Sequence, residues 1–407
     1  MQLVDKNKVN LSPIKEMELR ASRIPGVVSL AQGVPSFDTP DPIKRRAIEA
    51  IEQGKVAKYS LAPGILELRE VIAQKLEEEN KFFDFEEEII VTAGSIEAIT
   101  ATLLALLAPG DEVLIPDPTY TSYQPAIKVA GGIPVFVPLE EENHWAFDIA
   151  ELEKRITPKT KALLFCNPNN PTGTIFTRNY LHAVAQLAIK HDFYILSDEV
   201  YKDFIFDANE KFYSLAELRG IRDRLIYIFS FSKAYAMTGW RIAYLATHQK
   251  LAKKILAVHD ALVTCAPVVS QYAALAALEM AEEELAKYHA IYKKRRDLIC
   301  RRLDKLKNIF EYQKPDSAYF VFPRINKEVL KKIALDPPAS NREAIRAGGG
   351  SWQFAIELLE KAKVATVPGA AFGPSGEDHI RMCFGRSEED IDLAFDKMEM
   401  FFDNLKL

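Results

Sequence analysis

The chain has 407 residues, of which 48% are hydrophobic and 27% charged, so it can bury one large core and a second, smaller one. Its net charge of −5, without any block of Lys and Arg, does not favour a nucleic-acid partner. No apolar run is long enough to span a membrane and the N-terminus lacks the apolar core of a signal peptide, so we expect a cytoplasmic protein.

Short apolar runs typical of β-strands alternate with helical patterns along the chain. Strands are predicted at residues 88–92, 112–115, 133–138, 161–166, 193–197, 225–229 and 240–246. Helices are predicted between them, for example at residues 95–107 and 180–191. This alternation predicts an α/β fold in which a mostly parallel, seven-stranded sheet lies between helices.

A charged, helix-favouring stretch at residues 282–306 is too long for an ordinary crossover and predicts a helix that joins two lobes. A second, smaller unit follows it. Within that unit, residues 325–351 contain the pair Pro337 and Pro338 and the run Gly348, Gly349 and Gly350. Because these residues interrupt helices and strands, we predict an irregular insertion there.

The cysteines and glycine-rich motifs give no sign of a metal, a dinucleotide or a nucleotide-phosphate site. The four cysteines are far apart and form no CxxC pair, so buried free thiols are expected. The seven histidines form no HExxH motif, and neither GxGxxG nor GxxxxGK[ST] occurs. We therefore predict no metal site.

The run SFSKAYAMTGWR at residues 230–241 places Lys233 among small and apolar neighbours, between two predicted strands. We expect this lysine on a turn at the edge of the sheet. Burial disfavours an ammonium group, and a partly neutral amine can form a Schiff base with an aldehyde. Ser230 and Arg241 lie on either side of Lys233, and a hydroxyl with a cation suits an anionic cofactor tail.

The whole run resembles the cofactor-lysine signature of class I aminotransferases, the pyridoxal-phosphate enzymes of fold type I. Further motifs follow in the family's order from Gly33 to Arg381. The resemblance implies that Lys233 binds pyridoxal 5'-phosphate and moves the α-proton of the substrate. It also implies a large cofactor-binding domain at residues 46–294, and a smaller α+β domain formed by residues 1–45 and 295–407.

A strand, a glycine and a predicted helix start follow one another at residues 91–96, in the string VTAGSI. The backbone N–H groups of Gly94, Ser95 and Ile96 would point at an anion, helped by the helix dipole. The resemblance implies that the cofactor phosphate binds here, with Ser230 and Arg241 closing around it.

Asp198 follows a predicted buried strand, at the carboxyl end where ligands bind in open α/β sheets. A carboxylate there would keep the ring nitrogen of the cofactor protonated. In SDEVY and NPNNPTG, the resemblance implies that Tyr201 and Asn170 donate to the phenolate oxygen of the cofactor, with a cis bond expected between Asn170 and Pro171. Tyr120 in DPTYTSY matches the aromatic residue that stacks on the ring.

The substrate carboxylate calls for a fixed bidentate cation, and Arg381 lies between apolar neighbours in HIRMCFG. The resemblance implies that Arg381 and the backbone of Gly33 bind this carboxylate, with Tyr120 and Asn170 also lining the substrate site. Tyr59 matches a tyrosine that reaches the phosphate of the neighbouring subunit. A homodimer with shared active sites follows from that resemblance.

The resemblance therefore implies a ping-pong aminotransferase that uses an L-amino acid and a 2-oxo acid such as 2-oxoglutarate. Family members specific for aspartate have a cation near the phosphate-binding turn, whereas the corresponding Ile96 is apolar. An aromatic or broad neutral donor is thus favoured, and an aspartate-specific enzyme stays open. A carbon–sulfur lyase or an enzyme like aminocyclopropanecarboxylate synthase also stays open, because these enzymes use the same cofactor residues.

Overall fold

The computed structural model describes residues 11–206, 212–280, 282–334 and 342–406. Its strands are β1 Val28–Ser29, β2 Ile89–Thr92, β3 Glu112–Asp117, β4 Ile133–Glu140, β5 Ala146–Phe147, β6 Thr160–Cys166, β7 Tyr194–Asp198, β8 Leu225–Ser230, β9 Ala243–Thr247, β10 Phe310–Glu311, β11 Phe320–Val321, β12 Arg324–Ile325, β13 Val364–Ala365, β14 Val367–Pro368 and β15 Ile380–Cys383.

The helices lie between and around these strands. They are α1 Pro13–Ala21, α2 Asp41–Glu52, α3 Leu66–Glu78, α4 Ser95–Leu106, α5 Tyr123–Val129, α6 Ile149–Lys154, α7 Arg178–His191, α8 Phe231–Ala234, α9 Gln249–Val263, α10 Val268–Leu278, α11 Glu282–Lys305, α12 Lys327–Ala334, α13 Arg342–Glu357 and α14 Glu388–Asn404. In the described part of the chain, none of these helices has both the length and the apolar character needed to cross a bilayer.

The large sheet has the strand order β2-β9-β8-β7-β6-β3-β4-β5. Strands β8, β7, β6, β3 and β4 run parallel to one another, while β9 is antiparallel to both of its neighbours. The predicted α/β fold with a mostly parallel sheet is confirmed, but among the described residues the sheet has eight strands and not seven. The additional strand β5 has two residues, which is too short to produce a recognisable alternation in the sequence.

Alternate residues of the central strands enter two different cores, one on each face of the large sheet. In β6, Ala162 and Leu164 pack into one hydrophobic cluster, whereas Leu163 and Phe165 pack into the other. Both faces are therefore covered, and the strand is apolar almost throughout, as is typical of a parallel sheet between helices. Burial on both faces fixes the register and so fixes where each strand ends.

Two local predictions near the lysine run are wrong. The predicted strand at residues 240–246 begins only at Ala243, because Trp240 ends a one-turn 3-10 helix and Arg241 has a left-handed φ of 52°. Lys233 lies in the one-turn helix α8 and not on a turn at a sheet edge. Strand β8, which leads into α8, is an interior strand between β7 and β9.

The predicted long helix is α11, and the strands after it form three small sheets, of which one includes β1 of the N-terminal segment. Val28 of β1 pairs in parallel with Val364 of β13, so a segment near the start of the described chain lies beside one from its last quarter. The irregular insertion predicted at residues 325–351 is wrong where it is described, because α12 and α13 occupy it; residues 335–341 lie outside the described residues. Buried Val329 and Ile333 are four positions apart, a helical spacing that the proline and glycine clusters obscured.

Candidate active site

A cavity of about 510 Å³ lies at the carboxyl ends of β6, β7 and β8 and beside the start of α4. This is the position at which open α/β sheets bind ligands. Eleven of the thirteen predicted site residues line it: Gly33, Ser95, Ile96, Tyr120, Asn170, Asp198, Tyr201, Ser230, Lys233, Arg241 and Arg381. The structure thus brings together residues from across the chain, and the two exceptions are Gly94 and Tyr59.

Lys233 extends from α8 to the floor of this cavity. Its Nζ donates a hydrogen bond to the carbonyl oxygen of Gly33 at 2.6 Å. Burial lowers the pKa of Lys233 to about 8, and the positive charges of Arg381 and Arg241 act in the same direction. A substantial fraction of this amine is therefore neutral near physiological pH, as a nucleophile that attacks an aldehyde must be.

Asp198 ends β7 and is 3% exposed. The hydroxyl of Tyr123 donates to its Oδ2 at 2.7 Å, whereas its Oδ1 is buried and accepts no hydrogen bond from the described residues. Burial raises the pKa of Asp198 to about 6. A buried carboxylate oxygen without a partner is costly, so it calls for a donor, best a cationic one, from a bound molecule. The protonated ring nitrogen of pyridoxal phosphate is such a donor.

The start of α4 and Arg241 form a cradle for an anion. Gly94 precedes the helix with a φ of 95°, and a Cβ at this position would collide with the guanidinium of Arg241. Only glycine fits both the backbone conformation and this close approach. The hydroxyl of Ser230 donates to that of Ser232 at 3.0 Å beside the cradle. A helix N-terminus, a guanidinium and hydroxyls together suit a phosphate.

Arg381 is 1% exposed and pairs with no carboxylate among the described residues. Its Nη1 donates to Asn170 Oδ1 at 3.2 Å and its Nη2 to the carbonyl oxygen of Ala31. The guanidinium lies 4.4 Å from the ring centroid of Phe320 and 5.0 Å from that of Phe372. A buried cation with only neutral partners is costly unless an anion completes the site. The α-carboxylate of an amino acid would do so.

Two tyrosines and the turn that carries Asn170 complete the ring end of the cavity. The ring of Tyr120 meets that of Tyr123 edge-on at 5.5 Å. Tyr201 is buried, and burial raises the pKa of its phenol well above the usual range, so it stays protonated and can donate. The cis bond expected after Asn170 is not there; the cis X-Pro bond of this turn is the earlier one, between Asn167 and Pro168.

Tyr59 lies away from the cavity and is 82% exposed, so this chain alone does not bring it to the site. Sequence reasoning did not assign a role in the site to several lining residues, among them Lys15, Gln32, Ser232, Thr238 and Phe320. Ser232 lies inside the lysine run and could have been noticed there. Lys15 reaches the cavity from α1 and has no signal in its own neighbourhood.

The known proteins that this chain resembles are aminotransferases. The family model for class I and II aminotransferases matches residues 25–398. The chain is 39% identical to an aromatic-amino-acid aminotransferase of Thermococcus litoralis, over 98% of this chain and 97% of that one. It is 38% identical to an aspartate aminotransferase of Pyrococcus abyssi, again over 98% and 97%. The crystal structure of an aromatic aminotransferase from Pyrococcus horikoshii matches with a TM-score of 0.85 and 36% identity, covering 96% of this chain and 99% of that one.

Proposed function

Because this chain belongs to the class I and II aminotransferases and is a pyridoxal-phosphate-dependent enzyme of that family, we propose that it transfers the amino group of a neutral L-amino acid to 2-oxoglutarate. Aromatic donors are its preferred substrates in this proposal. The reaction is a ping-pong exchange in which the 2-oxo acid of the donor leaves before the acceptor binds.

One observation supports this proposal above the others: three costly groups face the same cavity. They are the partly neutral amine of Lys233, the unpartnered Oδ1 of Asp198 and the unpaired guanidinium of Arg381. Pyridoxal phosphate, when bound, supplies an electron-withdrawing ring that stabilises negative charge on the substrate's α-carbon. Asp198 would hold the protonated ring nitrogen, and Ser95, Ser230 and Arg241 would hold the phosphate.

The side chains divide the work of proton transfer and orientation. Arg381 binds the α-carboxylate of the substrate and fixes the direction of the Cα–H bond. Lys233, as a free amine, takes the α-proton and returns it, which its pKa near 8 allows close to neutral pH. Asp198 stays ionised beside a positive charge, and Tyr201 donates a hydrogen bond from its phenol.

The side-chain specificity follows from the apolar part of the cavity wall. Ile14, Val34, Ile96 and Phe320 all line it. These apolar side chains would pack against an aromatic or aliphatic side chain of the donor and stabilise it by burial, so neutral donors are preferred in this proposal. An aspartate aminotransferase is the second candidate, favoured by the 38% identity to the enzyme of that name from Pyrococcus abyssi. A panel of amino donors and 2-oxo acids, tested with the purified protein, decides between the two and would reveal lyase chemistry.

We also propose a cytoplasmic homodimer whose subunits share their active sites. The side chains of Ile51 and Tyr59 line one hollow of the surface and are 54% and 82% accessible, and that of Leu61 is 68% accessible; large apolar groups exposed together mark interaction surfaces. A second subunit that covers these side chains would place Tyr59 next to the phosphate of the cofactor bound by that second subunit. Sedimentation equilibrium tests the dimer, and a monomer that is fully active would contradict it. The domain limits remain those proposed from the sequence, at residues 1–45, 46–294 and 295–407.

The cofactor assignment has a direct chemical test. Borohydride reduction of the purified, yellow protein should fix pyridoxal phosphate on Lys233, and peptide mass spectrometry should locate it there. An adduct on another lysine, or no adduct in protein loaded with the cofactor, would contradict the assignment of Lys233.

A further inference from the structure

The cavity wall has one more cationic side chain than the roles assigned above require. Its lining has four cationic side chains, Lys15, Lys233, Arg241 and Arg381, and one carboxylate, Asp198. Arg241 serves the phosphate, Arg381 the α-carboxylate and Lys233 the reacting amine. Lys15 is left without an anion.

The charge of Lys15 has no ionic partner in the part of the chain that the structure describes, although Arg20 on the same helix pairs with Glu16 at 2.8 Å. Lys15 is also the third residue of α1, in the first helical turn. A cation there opposes the helix dipole and so destabilises the helix slightly. A residue that breaks a local rule without any compensating contact is expected at functional sites.

Helix α1 approaches the cavity from the end at which Arg381 lies. It packs against β14, whose Val367 is paired with Arg381 across the antiparallel ladder. At the start of α1, the hydroxyl of Ser12 contacts that of Thr121 at 3.1 Å, next to Tyr120 on the cavity wall. Lys15 therefore belongs to the substrate end of the cavity.

We propose that Lys15 binds the distal carboxylate of a dicarboxylic substrate, and so allows a largely apolar site to accept 2-oxoglutarate. This inference rests on the proposed function. It resolves a conflict within that function, because the same cavity must hold an apolar side chain in one half-reaction and a second carboxylate in the other. Lys15 is exposed and its flexible stem can withdraw to solvent when an apolar side chain is bound, whereas Ile14 beside it stays buried.

The test replaces Lys15 by methionine, which keeps an unbranched, helix-compatible side chain and removes only the charge. We measure KM for 2-oxoglutarate and for phenylpyruvate and take their ratio. The ratio of the KM for 2-oxoglutarate to that for phenylpyruvate should rise by roughly twofold to fivefold in Lys15→Met, the range expected of one exposed charge pair. Arg23→Met is the matched control: it removes one exposed cation just after α1 that does not line the cavity, and its ratio should equal that of the wild type.

A binding measurement makes the test independent of turnover. Calorimetric titration of the cofactor-loaded protein with succinate and with 3-phenylpropionate should show the same selective loss of dicarboxylate affinity in Lys15→Met. Equal losses for both ligands, or no loss for either, would overturn the proposal. A weaker affinity for pyridoxal phosphate with unchanged ligand binding would instead assign Lys15 to the phosphate. If the wild type turns over no 2-oxo acid, the proposed function fails, and titration still decides the role of Lys15.

Discussion

Replacing Asp198 by asparagine should separate the catalytic role of this residue from its role in the fold. The amide has nearly the same shape and its oxygen can still accept the hydrogen bond that Tyr123 donates to Oδ2 at 2.7 Å. Its NH₂ group, however, would donate to the cofactor's ring nitrogen and favour the unprotonated form. Turnover should then fall about a thousandfold or more, equivalent to about 4 kcal/mol in the barrier, while pyridoxal phosphate still binds.

The same substitution, although it lowers turnover, should raise the stability of the cofactor-free protein above pH 6. Burial raises the pKa of Asp198 from 3.8 to about 6, so the folded state disfavours the ionised carboxylate. Each pKa unit corresponds to 1.36 kcal/mol, and two units give a cost of about 3 kcal/mol that is absent below pH 4 and complete above pH 6. Asparagine never ionises, so the variant avoids this cost. The gain in stability is reduced by the cost of burying one additional N–H group without a partner.

Urea denaturation of the cofactor-free proteins at pH 4.5 and pH 8 measures the effect. The stability of Asp198→Asn relative to the wild type should rise between the two pH values by about 1 to 3 kcal/mol. A variant that turns over normally would refute the catalytic role. A relative stability that is the same at both pH values would refute the reasoning about burial, whatever the activity.

Four further results are expected. Lys233→Ala should still bind pyridoxal phosphate without a covalent bond but should not transaminate, as absorbance and turnover assays would show. In the wild type, the rate of cofactor incorporation should increase with pH and level off above about pH 8, because only the neutral amine of Lys233 reacts; a rate independent of pH between 6 and 9 would contradict this. Arg381→Ala should lower kcat/KM for every substrate alike, by an amount equivalent to about 2 to 5 kcal/mol of transition-state free energy, and a loss that depends on the substrate would contradict its role. Ile96→Lys should raise activity with aspartate relative to aromatic donors, and an unchanged preference would contradict the role of Ile96.

The sequence predicted those parts of the site that lie close together along the chain. Ser230, Lys233 and Arg241 belong to one short run of the sequence, so they stay close together independently of how distant segments pack. Asp198 was predictable for a related reason: it ends an apolar strand, and parallel strands place their carboxyl ends along one edge of the sheet. In both cases the local pattern determines the position of the side chain.

Contacts between distant segments were not predictable in this way. Tyr120 and Tyr123 occur in one short motif and look alike, yet only Tyr123 donates to Asp198, across 75 positions of the chain. That choice depends on how α5 packs over the sheet. The start of β9 was missed because the left-handed φ of Arg241 postpones the strand, and an arginine gives no local sign of such a conformation.

The same distinction explains why Lys15 escaped notice and why the cavity reveals it. In the sequence, Lys15 is one charged residue on an amphipathic helix, where lysine is ordinary. It becomes unusual only when the fold places α1 against the substrate end of a cavity whose other cations already have anions to bind. Buried groups without a partner, such as Oδ1 of Asp198 and the guanidinium of Arg381, cost free energy in the empty protein that a bound molecule would compensate. Exposed Lys15 carries no such cost, and its proposed role rests on its position at the substrate end of the cavity.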